Sequence, residues 1–191
     1  SEDARKEHGA RLAGGKVQVV AAGPTRMGSV RNGFGALEPG VEVVCVHDGA
    51  RSMITPEIVR ATIAEAVKSG AAVAAVPVKD TLKVVEAGGK VVTETPERVR
   101  YWAAQTPQTY RYEVLNEALE RFKDDVSATD ESQLVERCGR KVSVVESSYE
   151  NFKITTPEDL TMAEAIIEAR SGGRRQSRTG FGFDIHRLVA G

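Results

Sequence analysis

The 191-residue sequence lacks most features that mark secreted, membrane-bound or nucleic-acid-binding proteins. No apolar run approaches the roughly 20 residues that a membrane-spanning helix needs. The first residues contain no apolar stretch of the kind found in signal peptides. With 26 basic and 27 acidic residues, the formal net charge is −1. This balance argues against nucleic acid or an anionic membrane surface as the main partner.

Cysteine is also scarce, since Cys45 and Cys138 are the only two in the chain. They form no Cys-x-x-Cys pair, the spacing that is typical of redox and zinc sites. Both are predicted to be reduced structural thiols, and we expect a cytoplasmic protein.

What the sequence does contain is a regular alternation of strand-like and helix-like segments. This alternation predicts an α/β domain with a mostly parallel sheet and helices on its faces. The predicted strands are residues 17–22, 41–47, 71–78 and 142–145. The predicted helices are residues 29–37, 55–70, 112–122 and 130–138, with a last long helix beginning at 156–157.

Residues 82–95 break the alternation and predict a β-hairpin arm. Two valine-rich segments flank the turn sequence Ala87-Gly88-Gly89, a pattern typical of a hairpin. An isolated two-stranded hairpin is marginally stable in water. We therefore expect a partner subunit to cover this arm, which makes the protein a homodimer.

Charged residues follow the predicted strands, where an α/β sheet opens its ligand crevice. Asp48 follows one apolar run and is a suitable ligand for Mg²⁺, which relies on substrate phosphates for its other ligands. Arg51, one turn later, can clamp a phosphate with its planar guanidinium. The alternative is an Asp–Arg pair that only stabilises the turn. His47 is predicted to be a packed or hydrogen-bonded residue and not a base.

Four other positions are also candidates. Lys153 stands between apolar residues, where a lysine is costly to bury without an anionic partner, and this favours phosphate binding. Thr81 can hydrogen-bond a phosphate oxygen, although a threonine at a strand end is common. Arg98 can equally be a solvated surface residue. Thr129 precedes a predicted helix, so helix capping by Thr129 and Asp130 is its simpler interpretation.

Four motifs, taken in order, resemble the 2-C-methyl-D-erythritol 4-phosphate cytidylyltransferase family. They are Val-His-Asp-Gly-Ala-Arg at 46–51, Lys-Asp-Thr-Leu-Lys at 79–83, Trp-Ala-Ala-Gln-Thr-Pro-Gln at 102–108 and Asn-Phe-Lys-Ile-Thr-Thr-Pro-Glu-Asp-Leu at 151–160. The resemblance implies a Rossmann-like nucleotidyltransferase that joins CTP to methylerythritol phosphate with Mg²⁺ and releases pyrophosphate.

The same resemblance assigns roles to individual residues. It implies that Asp48 holds the metal, and that Arg51, Thr81 and Lys153 position the attacking phosphate together with Arg98 of the partner subunit. Thr129 is implied to lie in the substrate site. Gly23 and Ser29 are implied to contact the cytosine ring.

The segment 19–28 is similar to the glycine-rich phosphate loop of nucleotidyltransferases, because it ends in Arg26-Met27-Gly28. Two features argue against that identity. Pro24 lacks the backbone N–H that a phosphate cradle uses, and no Pro-Lys pair follows. The segment instead matches a later family motif that carries Gly23 and Ser29. We therefore expect the N-terminal portion of the domain to be missing, and with it the true phosphate loop.

The end of the chain contains a different motif. Residues 171–177 are predicted to be a flexible linker between a domain at 1–170 and the start of a second one at 178–191. Residues 181–187, Phe-Gly-Phe-Asp-Ile-His-Arg, resemble the start of a 2-C-methyl-D-erythritol 2,4-cyclodiphosphate synthase, a lyase. Asp184 and His186 suit Zn²⁺ but are an incomplete ligand set. The alternative is an incidental Asp-x-His in a frayed tail.

Two other functions stay open at this point. One is a sugar-phosphate nucleotidyltransferase with a degenerate loop at 23–28, which its base preference would reveal. The other is a non-catalytic remnant that only dimerises through the 82–95 arm, which would form a dimer without binding CTP.

Overall fold

The computed structural model describes residues 17–123, 125 and 127–171. The predicted second-domain start, with Asp184 and His186, lies outside these residues, as does all of the predicted linker except Ser171. Among the described helices, none is long and apolar enough to span a membrane. The two cysteines are free, as predicted.

The described residues form six β-strands and five α-helices. The strands are β1 (Val43–Val46), β2 (Ala71–Pro77), β3 (Val84–Val85), β4 (Val92–Glu94), β5 (Trp102–Arg111) and β6 (Ser143–Glu146). The helices are α1 (Arg26–Gly35), α2 (Pro56–Ser69), α3 (Tyr112–Arg121), α4 (Glu131–Arg137) and α5 (Pro157–Arg170).

Four strands form the main sheet in the order β1-β5-β2-β6. β5 pairs antiparallel with both β1 and β2, whereas β2 pairs parallel with β6. Three of the four strands therefore run in the same direction, and β5 alone is reversed. This arrangement confirms the predicted α/β class. Because β1 and β6 run in the same direction, their carboxyl ends lie at the same end of the sheet.

The helix ends follow from their capping residues. Thr156 and Asp159 form a reciprocal capping box at the start of α5, where Pro157 occupies the first turn. The Asp130 side chain accepts a hydrogen bond from the backbone N–H of Gln133 and caps α4, as predicted. α2 ends at Gly70, whose φ of 95° favours glycine.

Helices pack on both faces of the sheet, and neighbouring residues of β5 show how. The Thr109 hydroxyl donates a hydrogen bond to Thr62 of α2, whereas the next residue, Tyr110, lies in the core with Leu115 of α3 and Leu134 of α4. Successive strand side chains point to opposite faces. α2 thus covers one face of the sheet, and α3 and α4 cover the other.

One predicted strand is wrong, and one strand was not predicted. Residues 17–22 belong to neither sheet of the described part of the chain, because apolar residues form a strand only where a second strand supplies the hydrogen-bonding ladder. β5, the longest strand, was not predicted. Its sequence is rich in Ala, Gln and Thr and contains Pro107, and a proline argues against a central strand. Its register with β2 shifts between Val73 and Ala75, next to this proline.

The predicted hairpin is present. β3 and β4 pair antiparallel in a separate two-stranded sheet, and Gly88 in the turn has a φ of 75°. Val84, Val85, Val91 and Val92 are all exposed to solvent. The arm therefore presents an apolar surface outside the main sheet.

Candidate active site

A cleft of about 230 Å³ opens at the carboxyl ends of β1 and β6. Four of the predicted site residues line it together: Asp48, Arg51, Thr129 and Lys153. The remaining lining residues were not predicted as site residues; they are Arg26, Ala104, Gln105, Thr106, Gln108 and Asp130.

Asp48 is the centre of the charge arrangement. Lys153 Nζ lies 3.1 Å from Asp48 Oδ2, and Arg51 Nε lies 3.5 Å from the same oxygen. The other oxygen, Oδ1, has Arg26 Nη2 at 3.9 Å. The Asp48 side chain is 18% exposed, so one carboxylate, partly shielded from water, faces three cations.

These neighbours set the ionisation of Asp48. Partial burial of the carboxyl raises the pKa of Asp48, but the hydrogen bond and charge of Lys153, with the charges of Arg26 and Arg51, outweigh that effect. The pKa of Asp48 therefore lies below its ordinary value. Asp48 is a carboxylate at neutral pH and can bind a metal ion.

The turn that carries Asp48 is fixed by Thr106 of β5. The Thr106 hydroxyl accepts the backbone N–H of Asp48 at 2.9 Å and lies 3.0 Å from His47 Nδ1. His47 Nε2 lies 3.1 Å from the Arg51 carbonyl oxygen. This arrangement suits an imidazole whose proton is on Nε2, and it agrees with the prediction that His47 is a hydrogen-bonded strand-end residue.

The loop that carries Lys153 is fixed by Asn151, which is fully buried. The Asn151 amide donates to Gln105 Oε1 at 2.9 Å and to the Thr106 carbonyl at 2.8 Å. The Asn151 carbonyl accepts from Arg51 Nη1 at 2.9 Å. One buried residue thus ties this loop to β5 through its side-chain amide and to the Arg51 guanidinium through its backbone carbonyl.

Arg51 also carries an unsatisfied donor. Its Nε is buried and makes no hydrogen bond with any described residue, and Asp48 Oδ2 is 3.5 Å away. A buried donor without a partner is rare in folded proteins and calls for a water, an ion or a ligand. The arrangement suits an additional oxygen atom near Arg51 and Asp48.

Gly23 and Ser29 lie near the cleft without lining it. The Gly23 N–H donates to Ser29 Oγ at 3.0 Å, and Ser29 Oγ donates to the Thr25 carbonyl at 3.1 Å. Thr25 caps α1 by accepting the Gly28 N–H. The segment is therefore a compact turn into α1, and Arg26 extends from it into the cleft.

We expect Gly23→Ala to disrupt this turn. A Cβ at position 23 would lie 2.4 Å from the Gly28 carbonyl carbon. This distance is too short for two carbon atoms that are not bonded, so the backbone at Gly23 or Gly28 would have to move. Overpacking of this kind costs about 1–3 kcal/mol, measurable by urea denaturation. The control is Gly33→Ala within α1, where a Cβ meets nothing within 4 Å and the free energy of unfolding should rise by up to about 1 kcal/mol. Equal effects of the two substitutions would contradict this account.

Thr81 and Arg98 are outside the cleft in this chain. Both are exposed, and the Arg98 guanidinium donates to the Lys79 carbonyl. Thr129 does line the cleft, and its backbone N–H donates to Gln133 Oε1 at 3.1 Å. The cleft thus joins Asp48, Arg51, Thr129 and Lys153 but not Thr81 or Arg98.

Sequence reasoning missed a second ion pair beside the cleft. The Arg26 guanidinium donates to Glu131 Oε1 at 2.6 Å and to Oε2 at 3.0 Å, and Glu131 is fully buried. A second omission is Gln108, which donates to Asp130 Oδ2 at 2.9 Å and accepts from Tyr110 and Ser132. In the sequence, Arg26 was considered only as part of the glycine-rich segment 19–28, and no local pattern marks Glu131 as a site residue.

In the described part of the chain, no group of three or more His, Cys, Asp or Glu side chains could hold a metal ion. Asp48 alone still fits Mg²⁺, because that ion takes one or two carboxylates and completes its shell with water and substrate phosphates. Asp48 Oδ1, from which Arg26 Nη2 stays 3.9 Å away, is the oxygen suited to this role.

Comparison with known proteins gives a consistent result. The family model of IspD, 2-C-methyl-D-erythritol 4-phosphate cytidylyltransferase, matches residues 1–169. The chain is 47% identical to the protein of that name from Alkaliphilus metalliredigens over 159 residues, which are 83% of this chain and 66% of the relative. It is 41% identical to the bifunctional enzyme IspD/IspF of Desulfotalea psychrophila over 91% of this chain and 44% of the relative.

Solved structures agree. The 4-diphosphocytidyl-2C-methyl-D-erythritol synthase from Anaerococcus prevotii superposes with a TM-score of 0.80 at 33% identity, over 87% of this chain and 78% of that one. The chain spans 65–66% of the length of three curated relatives that it matches. On the family match and these identities, the chain belongs to the 2-C-methyl-D-erythritol 4-phosphate cytidylyltransferase family.

Proposed function

We propose that the protein transfers a cytidylyl group from CTP to 2-C-methyl-D-erythritol 4-phosphate in isoprenoid precursor synthesis. The observation that carries this proposal is the cluster of Lys153, Arg51 and Arg26 around Asp48 at the edge of the sheet. Phosphoryl and nucleotidyl transfer depend on positioning and on charge stabilisation, and this cluster supplies both.

In the proposed reaction, an oxygen of the sugar phosphate attacks the α-phosphorus of CTP. A new P–O bond forms, and the bond to the oxygen that bridges to the β-phosphorus breaks, so that pyrophosphate leaves with that electron pair. Lys153 and Arg51 would hold the attacking phosphate in line by charge-assisted hydrogen bonds. Lys153 is half exposed and can turn a second N–H towards a ligand while it keeps its contact with Asp48.

Magnesium is proposed to bind at Asp48. When bound, it would neutralise charge that develops on the phosphates. Asp48 contributes a carboxylate whose lowered pKa keeps it ionised, and Thr106 fixes the backbone behind it.

The other predicted site residues belong to the same proposal. Thr129 and Thr81 would bind substrate, together with Arg98 of the partner subunit. Gly23 and Ser29 would contact cytosine. We also propose a cytoplasmic protein without a nucleic-acid or membrane partner, and a cyclodiphosphate synthase domain that begins at 178–191, whose Asp184 and His186 would bind Zn²⁺ once further ligands are present.

We expect a homodimer that forms through the 82–95 arm. The valines of this arm are exposed, and its two strands form a separate sheet that does not pair with the main sheet. Light scattering at tens of micromolar, an order of magnitude suited to ordinary affinities, should give twice the chain mass. Val92→Asp should shift the mass towards the monomer. The control is Ile167→Asp on α5, since Ile167 is as exposed as Val92 (52% against 51%). A folded wild-type monomer, or equal loss of dimer in both variants, would contradict the arm as the interface.

Pyrophosphate release from CTP tests the proposed activity. The assay compares residues 1–191 with a longer form that carries the triphosphate-binding loop of a relative ahead of Ser1. We expect the longer form to need both CTP and methylerythritol phosphate, and the 191-residue chain to be slower by about 100-fold or more, because phosphate donors of this kind contribute about that much each. Equal rates with other sugar phosphates would favour a sugar-phosphate nucleotidyltransferase instead.

A further inference from the structure

The Arg26–Glu131 pair is unusual because only one of its partners faces the cleft. Glu131 is 0% exposed and spends both carboxylate oxygens on the Arg26 guanidinium. Arg26 is 40% exposed and lines the cleft. Burying a carboxylate costs several kcal/mol, and the attraction within an ion pair rarely exceeds that cost. The pair is therefore better explained as a way to fix the position of the Arg26 side chain than as a source of stability.

The guanidinium has donors left over. Arginine carries five N–H donors, and two of them are committed to Glu131. Glu131 therefore holds the guanidinium from behind, and the remaining N–H groups can reach a ligand in the cleft. Arg26 joins Arg51 and Lys153 as a third cation available to an anion there.

The distances also show what Glu131 prevents. Arg26 Nη2 lies 3.0 Å from Glu131 Oε2 but 3.9 Å from Asp48 Oδ1, beyond hydrogen-bonding range. A long arginine side chain carries about 2 kcal/mol of rotamer entropy, and Asp48 is a second carboxylate within its reach. Without Glu131, the guanidinium would be free to close onto Asp48 and cover the oxygen suited to the metal.

We propose that Glu131 is a positioning residue that holds Arg26 as a donor to a phosphate group in the cleft and keeps it from closing onto Asp48. In this role Glu131 contacts neither substrate nor metal, and acts only through Arg26. The inference rests on the proposed function for its catalytic meaning, but its binding part concerns phosphate alone.

The first test measures binding to the 191-residue chain, with inorganic pyrophosphate as the probe in calorimetry. Glu131→Gln keeps the shape of the side chain and removes its charge, and Arg26→Lys keeps a positive charge opposite Glu131. Losing one charge-assisted hydrogen bond should weaken binding about 10-fold or more in each variant. The double variant should bind no more weakly than Arg26→Lys alone, because Glu131 acts through Arg26.

The control is Glu117→Gln, which removes a carboxylate paired with Arg140 at 2.5 Å on the exposed surface and should leave the affinity unchanged. Additive losses in the Glu131 and Arg26 variants would overturn the proposal, as would an unchanged affinity in folded Glu131→Gln. Absence of pyrophosphate binding by the wild-type chain would also overturn it.

The second test repeats the cycle on cytidylyl transfer by the longer form. We expect Glu131→Gln to lower kcat about 10-fold or more. The double variant should have a kcat no lower than that of Arg26→Lys alone. A purely structural role would instead lower the thermal midpoint and the active fraction while leaving kcat per active site unchanged, and that result would overturn the proposal. If no form transfers cytidylyl groups but the pyrophosphate cycle behaves as expected, the proposed function fails and the role of Glu131 in phosphate binding stands.

Discussion

Asp48→Asn should lower kcat for cytidylyl transfer by about 100- to 1000-fold, the range found when one preorganised charge-stabilising group is removed. The amide preserves the shape of the side chain but loses the charge that would bind Mg²⁺. It also leaves Lys153 and Arg51 without their shared carboxylate oxygen. The measurement is pyrophosphate release by the longer form at saturating CTP and methylerythritol phosphate.

The matched control is Asp125→Asn. Asp125 is also ion-paired, to Arg137, but lies away from the cleft, so its variant should keep wild-type kcat. Arg26 and Lys153 both retain contact with water, and Arg51 keeps its hydrogen bond to the Asn151 carbonyl. We therefore expect Asp48→Asn to stay folded. An Asp48→Asn enzyme that retains more than a tenth of the wild-type kcat would contradict the proposal that Asp48 binds the metal.

Arg26→Ala should destabilise the fold more than any other single substitution proposed for this chain, by about 3 kcal/mol or more in the free energy of unfolding. The reason is asymmetry within the pair. Glu131 is fully buried and would lose the guanidinium that neutralises its charge, whereas Arg26 is 40% exposed and can turn to water if Glu131 is changed. Glu131→Gln should therefore cost clearly less than Arg26→Ala.

Urea denaturation measures both changes, with the slope checked for two-state behaviour. Arg140→Ala is the matched control, because its partner Glu117 is exposed and surface pairs contribute about 0–1 kcal/mol. This explanation would be contradicted if the free energy of unfolding of Arg26→Ala lay within about 1 kcal/mol of the wild-type value. It would also be contradicted if Glu131→Gln lowered the free energy of unfolding more than Arg26→Ala does.

Local patterns in the sequence were enough to predict much of the fold. Helices such as α5 carry their own start signals, and the hairpin arm is defined by its valines and its glycine turn, so both were predicted. β5 was missed because a proline lies in its middle, although Trp102, Thr106 and Tyr110 favour a strand. Pro107 and the alanines of β5 give little β-propensity, and the pairing with β1 and β2 makes that segment a strand.

The candidate site divides in the same way. Asp48 and Lys153 were predicted because each directly follows or interrupts an apolar run at a strand end. The Arg26–Glu131 pair joins residues 105 positions apart, and no local pattern marks either side chain. Thr81 and Arg98 lie outside the cleft in this chain, and the role proposed for Arg98 depends on a second subunit.

Asn151 has a consequence for how this site can be altered. The same buried residue holds the loop of Lys153 against β5 and receives the Arg51 guanidinium on its carbonyl. Because Arg51 and the loop of Lys153 share this residue, we expect a shift of one to displace the other. Redesign for a bulkier acceptor, or natural divergence towards one, would require paired changes on the Arg51 turn and the Lys153 loop. We expect single substitutions in either segment to damage the proposed activity before they create a new one.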